Sequence, residues 1–221
     1  IYFQLLAPLH LLAPEARRWK ASNYDEALSY MNSSYPEIVW KNAMQTNLTL
    51  LTDEHIKIIK KHNICLSTSM DGYEELHNQT RVTSDGEGSH SIVVKKIKAL
   101  KENGIDFGLI VVLTSQNIGN IIDIYRYYKG FSQGFLINPL LMEGEAKANG
   151  ELSITPEEYS TAMIRLFDYW IKDDDAVPIS NFIEWTSSVA TKLTSICSFC
   201  KNCQEIFTVI EPNGNIAPCD R

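Results

Sequence analysis

The chain has 221 residues, 44% of them apolar, enough to fill the core of one large domain or of a domain with an appendage. Its net charge of -7, with no long block of lysine and arginine, argues against a nucleic-acid backbone or an anionic membrane as main partner and points to a small or peptidic ligand. No apolar run reaches the roughly 20 residues needed to cross a bilayer, and the start lacks the basic stretch of a signal peptide, so a cytoplasmic location is expected.

In chain order, "IYFQ", "NAMQTN", "ICLSTSMDG", "DFGLIVVLTS" and "GFLINPLL" read as short buried strands, each separated from the next by a segment with helix signals. This is the rhythm of βαβ units, and it predicts a parallel sheet, either doubly wound or closed into a full or partial barrel, with ligands at the C-terminal strand ends. The helix after "TNLTLL" should open on Thr52 as N-cap with Asp53 and Glu54 in its first turn. The helix before "GIDFGLIVV" carries Ile92, Val93, Ile97 and Leu100 and should stop at Asn103-Gly104.

From about residue 150 the pattern changes. Thr155, Pro156 and Glu158 form a capping box, followed by Tyr159, Met163, Leu166, Phe167 and Trp170 on one helical face, a packing stripe rather than a cofactor site. A second helix over 179–193 leads into "FTVIEPNGNIAPC", read as two short strands around Pro212-Asn213-Gly214-Asn215, where Asn-Gly is the favoured tight-hairpin dipeptide. Asp173, Asp174 and Asp175 read as a solvated helix end, and His77 as a polar loop residue.

Four of the five cysteines, Cys197, Cys200, Cys203 and Cys219, crowd into the last part of the chain. Secreted disulfide proteins spread their cysteines through a short chain, so this clustering favours metal. Four thiolates at these spacings can hold zinc or an iron–sulfur cluster, and the spacing leaves both open. Cys65, alone in a strand, is expected to be an inert core thiol.

The strand ending "QTN" followed by "LLTDE", the strand "LSTSMDG", the stretch "HNQTRVTSDGEGSHSIV", and the C-x5-C pair before "PNGNIAPCD" occur here in one order. Together they resemble the radical S-adenosylmethionine enzymes with a SPASM extension, especially the anaerobic sulfatase-maturating enzymes and related peptide maturases. The resemblance implies an α/β fold: a partial (β/α)6 TIM-like barrel lacking its first strand, then helices and the start of a cysteine-rich SPASM hairpin. The corresponding segments are residues 1–150, 151–195 and 196–221. It also implies S-adenosylmethionine and four-iron four-sulfur clusters as cofactors, with a peptide or protein as substrate.

Carried over by position, Gln45, Thr46, Asn47, Ser69 and Arg81 would contact S-adenosylmethionine. A zwitterionic nucleoside needs hydroxyl donors and a cation for its carboxylate, which fits these residue types. Read without the resemblance, Ser69 could cap a turn and Arg81 could pair with Asp85. Cys197, Cys203 and Cys219 match three ligands of the first auxiliary cluster, with Cys200 a substitute fourth ligand or a bystander. Asp220 matches the aspartate that accepts a proton as the substrate radical is oxidised.

The sequence departs from the pattern in three places. The C-x3-C-x2-C motif of the catalytic cluster does not occur, Leu5-Leu6-Ala7-Pro8 stands in place of Gly-Gly-Glu-Pro, and Thr46-Asn47-Leu48 in place of Thr-Asn-Gly. The expectation is a radical S-adenosylmethionine peptide maturase whose 221 residues are not active alone, the alternative being a degenerate peptide-binding relative that keeps a structural metal site.

Overall fold

The computed structural model describes residues 2–5, 21–130, 132–194, 208–210 and 214–217. The chain divides into two compact units, Ile1–Ile179 and Ser180–Arg221.

The first unit is built on five parallel strands, β1 (Tyr2–Leu5), β2 (Lys41–Thr46), β3 (Cys65–Ser69), β4 (Phe107–Leu113) and β5 (Phe135–Pro139). They lie in the order β1-β2-β3-β4-β5. A doubly wound sheet reverses its strand order at a switch point, and this one does not. The strands wind one way, as in a barrel, and this settles the choice left open by the strand rhythm.

Between the strands run α1 (Ala21–Ser34), α2 (Asp53–Lys61), α3 (Glu74–Thr80), α4 (His90–Glu102) and α5 (Ile121–Lys129), with α6 (Pro156–Trp170) after β5. After α6 the chain returns beside β5, where Ile179 makes a parallel bridge to Phe135 and the Phe135 N–H donates to the Pro178 carbonyl at 3.0 Å. Gly134 eases this approach, since a Cβ there would lie a tight 3.1 Å from the Pro178 oxygen. A sixth strand position is thus present, reduced to a single bridge.

Side-chain alternation assigns the two faces of the sheet. Leu66, Thr68, Leu109, Val111, Leu113, Phe135 and Ile137 are buried. Between them Ser67, Ser69, Gly108, Ile110, Val112 and Leu136 are half-buried. The buried face is the one the helices cover: Tyr125 and Tyr128 of α5 pack against Phe135 in tilted and edge-on contacts, with ring centroids 6.2 and 5.1 Å apart. Burying this apolar face supplies most of the stabilisation. The other face, which in a closed barrel points inward, keeps its polar positions in rows, with Gln45 beside Ser67 beside Gly108 in register.

The helix termini form as their sequences dictate. Thr52 caps α2 and Thr155 caps α6, each in a complete capping box, with His55 and Glu158 as the reciprocal partners. Met163 and Leu166 of the α6 stripe are buried, as expected of a packing face. Asp173 is not simply solvated: it accepts hydrogen bonds from the Tyr125 hydroxyl at 2.7 Å and from Lys129 Nζ at 2.6 Å, tying the end of α6 to α5. Cys65 is exposed rather than in the core. It opens β3 on the less covered face, the same face as Ser67 and Ser69.

In the second unit, α7 (Ser180–Thr191) is followed by β6 (Val209–Ile210) and β7 (Ile216–Ala217), which pair antiparallel. Gly214 in their connection has φ +87, a conformation that glycine adopts without strain. The expected antiparallel pairing of two short strands is present.

Candidate functional site at the C-terminal ends of β3 and β4

The "SMDG" segment leaves β3 and begins the site. The Met70 N–H continues the ladder by donating to the Ile110 carbonyl at 2.9 Å, and the Tyr128 hydroxyl donates to the Met70 carbonyl. Asp71 is 3% exposed, a level at which an ionised carboxylate must be paired. It is: Oδ2 accepts from Arg81 Nε at 2.5 Å, and Oδ1 from Arg81 Nη2 at 3.3 Å and from the Val112 N–H at 2.9 Å. Arg81 therefore pairs with Asp71, not with Asp85. Gly72 follows at φ +120, where a Cβ would press within 3.2 Å of Leu76 and Ile124. Only glycine turns the chain into α3 at this point.

Asp71, Arg81, Ser89 and His77 close a ring of hydrogen bonds. The Asp71 N–H donates to His77 Nδ1 at 3.3 Å, His77 Nε2 lies 2.9 Å from Ser89 Oγ, and Ser89 Oγ donates to the Arg81 carbonyl at 3.0 Å. A backbone N–H can only donate, so Nδ1 accepts and the proton of the neutral imidazole sits on Nε2, facing Ser89. His77 is fully buried within the short helix α3, not a surface loop residue as its polar neighbours suggested. Burial pushes its pKa down from 6.5 to about 4 against the opposing charge of Asp71, so it is neutral at physiological pH.

The loop that delivers Ser89 is held by Asn78, whose Oδ1 accepts the His90 N–H at 3.0 Å. Gly88 lies so close to this amide that a Cβ would come within 2.1 Å of its carbon. On the far side Asn117 donates from Nδ2 to the Val112 carbonyl at 2.9 Å and accepts the Thr114 N–H at 2.9 Å. Val112 thus has both backbone groups taken by side chains where β3 has ended, which fixes the strand ends rigidly.

The expected ligand-contacting residues divide by face. Gln45 and Ser69 lie on the half-buried face, Gln45 in register with Ser67, and Ser69 with Ile110. Thr46 and Asn47 instead turn inward to shape the loop. Thr46 Oγ1 accepts the Leu48 N–H at 3.1 Å, and Asn47 Oδ1 accepts the Thr49 N–H at 3.2 Å and its hydroxyl at 3.1 Å. Leu48 is fully buried at φ 62, in the left-handed region where the related pattern has glycine. Leu6, Ala7, Pro8, Cys197, Cys200, Cys203, Cys219 and Asp220 lie outside the described residues.

Gln45 and Ser69 offer polar groups on the half-buried face, and Arg81, its side chain 25% exposed, offers a cation, the group types that a zwitterionic nucleoside would need. Among the described residues no group of three or more His, Cys, Asp or Glu is placed to hold a metal, so no cluster chemistry is derived from them. Among them, too, no helix is long and apolar enough to cross a membrane. The sequence patterns that point to Ser69 and Arg81 do not mark Asp71, His77 and Ser89 as members of the site. Their signal was present in the "DG" after a strand and in the i, i+4 spacing of His77 and Arg81 across one helical turn.

A one-way parallel sheet with a built polar network at its strand ends defines an α/β protein of the barrel type, which binds ligands at that end. No model of a known protein family matches the chain. It is 30% identical over 192 residues to the cysteine-type anaerobic sulfatase-maturating enzyme of Clostridium perfringens strain 13, covering 85% of this chain and 52% of that one. It is 27% identical over 196 residues to the serine-type enzyme of Bacteroides thetaiotaomicron, covering 81% and 47%. The solved structure of native anSMEcpe with bound AdoMet and Kp18Cys peptide superposes with a TM-score of 0.77 at 26% identity, covering 90% of this chain and 57% of that one. The chain is a homologue of the anaerobic sulfatase-maturating enzymes, which are radical S-adenosylmethionine proteins, and spans about half the length of the curated relatives it matches.

Proposed function

We propose that the chain forms the barrel part of a radical S-adenosylmethionine maturase that oxidises or crosslinks a side chain of a peptide or protein substrate. The observation that carries this reading is the C-terminal end of β3, where Ser69, Asp71 and, through Asp71, Arg81 are gathered on a rigid frame. In this reading Gln45 and Ser69 meet the nucleoside and Arg81 its carboxylate, and the homologues' relation to a peptide-bound structure supports the substrate class. S-adenosylmethionine on a reduced cluster supplies hydrogen-atom abstraction, and the protein positions the reacting groups. Cys197, Cys203 and Cys219, with Cys200, are assigned to an auxiliary iron–sulfur cluster, and Asp220 to proton acceptance. A cytoplasmic setting belongs to this reading, since the tail thiols act in it as metal ligands rather than disulfides.

Two sequence features shape the expected behaviour of the 221 residues. They contain no C-x3-C-x2-C motif, and Leu5-Leu6-Ala7 offers no carboxylate for the ligand's ammonium group. Loss of a charged partner costs about 2–4 kcal/mol, or roughly 30- to 1,000-fold in affinity, so S-adenosylmethionine binds weakly. The same replacement favours a second reading, a non-catalytic relative that binds peptide and keeps a structural metal.

A chimaera separates the two. With the cluster-bearing first strand and loop of the Clostridium perfringens relative placed ahead of Ile1, anaerobic incubation with S-adenosylmethionine and dithionite should release 5′-deoxyadenosine, and the 221 residues alone should release none. A cluster-loaded chimaera that cleaves nothing supports the non-catalytic reading.

A further inference from the structure

A guanidinium presents two usable edges, the side formed by Nε and one Nη and the end formed by both Nη atoms. Asp71 occupies the side edge of Arg81, through Nε and Nη2. The end edge keeps Nη1 and the outer hydrogen of Nη2, two parallel donors matched to a second carboxylate. The Arg81 side chain is 25% exposed while that of Asp71 is 5% exposed, so the carboxylate is sealed in while part of the Arg81 side chain stays reachable from outside.

We propose that Asp71 is the positioning residue of this site, acting through Arg81: with His77 and Ser89 it locks the guanidinium so that its end edge receives the α-carboxylate of an amino-acid-bearing ligand. The proposal rests on the S-adenosylmethionine reading and adds residues that position the cation without touching the ligand. Each member of the ring has one job. Asp71 orients the side chain, Ser89 fixes the Arg81 backbone carbonyl, and His77 joins the Asp71 backbone N–H to Ser89. With one tautomer of His77 satisfying both neighbours, the ring has a single hydrogen-bond arrangement, and the rotamer entropy of Arg81 is lost on folding rather than on binding. Pairing with Asp71 also neutralises Arg81, so the site selects a carboxylate by the direction of its donors more than by net charge.

The test compares S-adenosylmethionine with 5′-methylthioadenosine, which keeps the nucleoside and lacks the amino-acid part. The full chain is labelled with 15N, and the Arg81 Nε–H signal is followed during each titration. In the wild type S-adenosylmethionine should move this signal and bind about tenfold tighter than 5′-methylthioadenosine, which should leave it in place. In Asp71→Asn the preference should fall to near parity while 5′-methylthioadenosine affinity stays within about twofold, and Asp71→Glu should regain part of it. Ser89→Ala keeps the ion pair and should lose about threefold of the preference, providing a readout if Asp71→Asn does not fold. Unchanged preference in the folded variants overturns the positioning role and leaves the S-adenosylmethionine reading standing. A wild type that binds both nucleosides equally, its Arg81 signal unmoved, likewise overturns the proposal alone. A wild type that binds neither overturns the reading and the proposal together.

Discussion

Asp71 Oδ1 accepts the backbone N–H of Val112 at 2.9 Å, so a side chain from the loop after β3 takes over the ladder position where that strand has ended. The same carboxylate holds Arg81, and breaking such a pair leaves a charge without its partner. Asp71→Asn keeps an oxygen for Val112 but removes the charge, and it should lower stability by about 2–3 kcal/mol, since the partly exposed Arg81 recovers some hydration. Asp71→Ala also strands the Val112 N–H and should cost about 3–5 kcal/mol. Urea unfolding of both variants checks the order.

The buried imidazole of His77 sets a pH dependence. Its pKa is lowered by burial from 6.5 to about 4; the neighbouring Asp71 charge opposes the shift, and Arg81 and His90 reinforce it. Between these values the unfolded chain binds a proton that the folded chain does not, so stability falls as pH drops from about 6.5 toward 4. The full difference is about 3 kcal/mol, reached below the folded value. His55 and His90 are lowered too and act in the same direction. Denaturant midpoints measured across this range should fall steadily in the wild type, and His77→Gln should flatten the slope at some cost in stability at neutral pH.

Leu48 sets two effects against each other. At φ 62 a leucine stores about 1–2 kcal/mol of backbone strain, which glycine would release. Its side chain is fully buried, and removing it leaves a cavity worth about 3–5 kcal/mol. Burial wins, so Leu48→Gly should destabilise by about 1–4 kcal/mol net, and thermal unfolding that shows a gain would mean that the side chain packs poorly.

The strands were legible because buried parallel strands are continuous apolar runs, as "DFGLIVVLTS" shows over β4. The sixth strand position was not, because a single bridge at Ile179 leaves no run to read. Ser69 and Gln45 emerged on the accessible face, whereas Thr46 and Asn47 emerged as turn formers, a distinction that depends on strand register and has no local signature. His77 was misread because a seven-residue helix rich in polar residues resembles a loop, and its burial comes from elements distant in sequence. Cys65 was misread because β3 alternates between a covered and an open face, and one cysteine does not reveal which it occupies.

The tail cysteines carry a prediction of their own. Replacing Cys203 or Cys219 with Ala should remove most of the bound metal, whereas Cys65→Ala, at the exposed start of β3, should leave metal content intact. Metal analysis of the three purified variants checks the assignment. Equal loss in all three would mean that the tail is not the site.

The central claim, that this homologue of the sulfatase-maturating enzymes carries an auxiliary iron–sulfur site on its tail cysteines, is tested most directly by iron and acid-labile sulfide analysis of anaerobically purified protein, with electron paramagnetic resonance after reduction. The account predicts iron and sulfide in near-equal amounts, about four of each per chain, and a cluster signal on reduction. Stoichiometric zinc with no sulfide would contradict it.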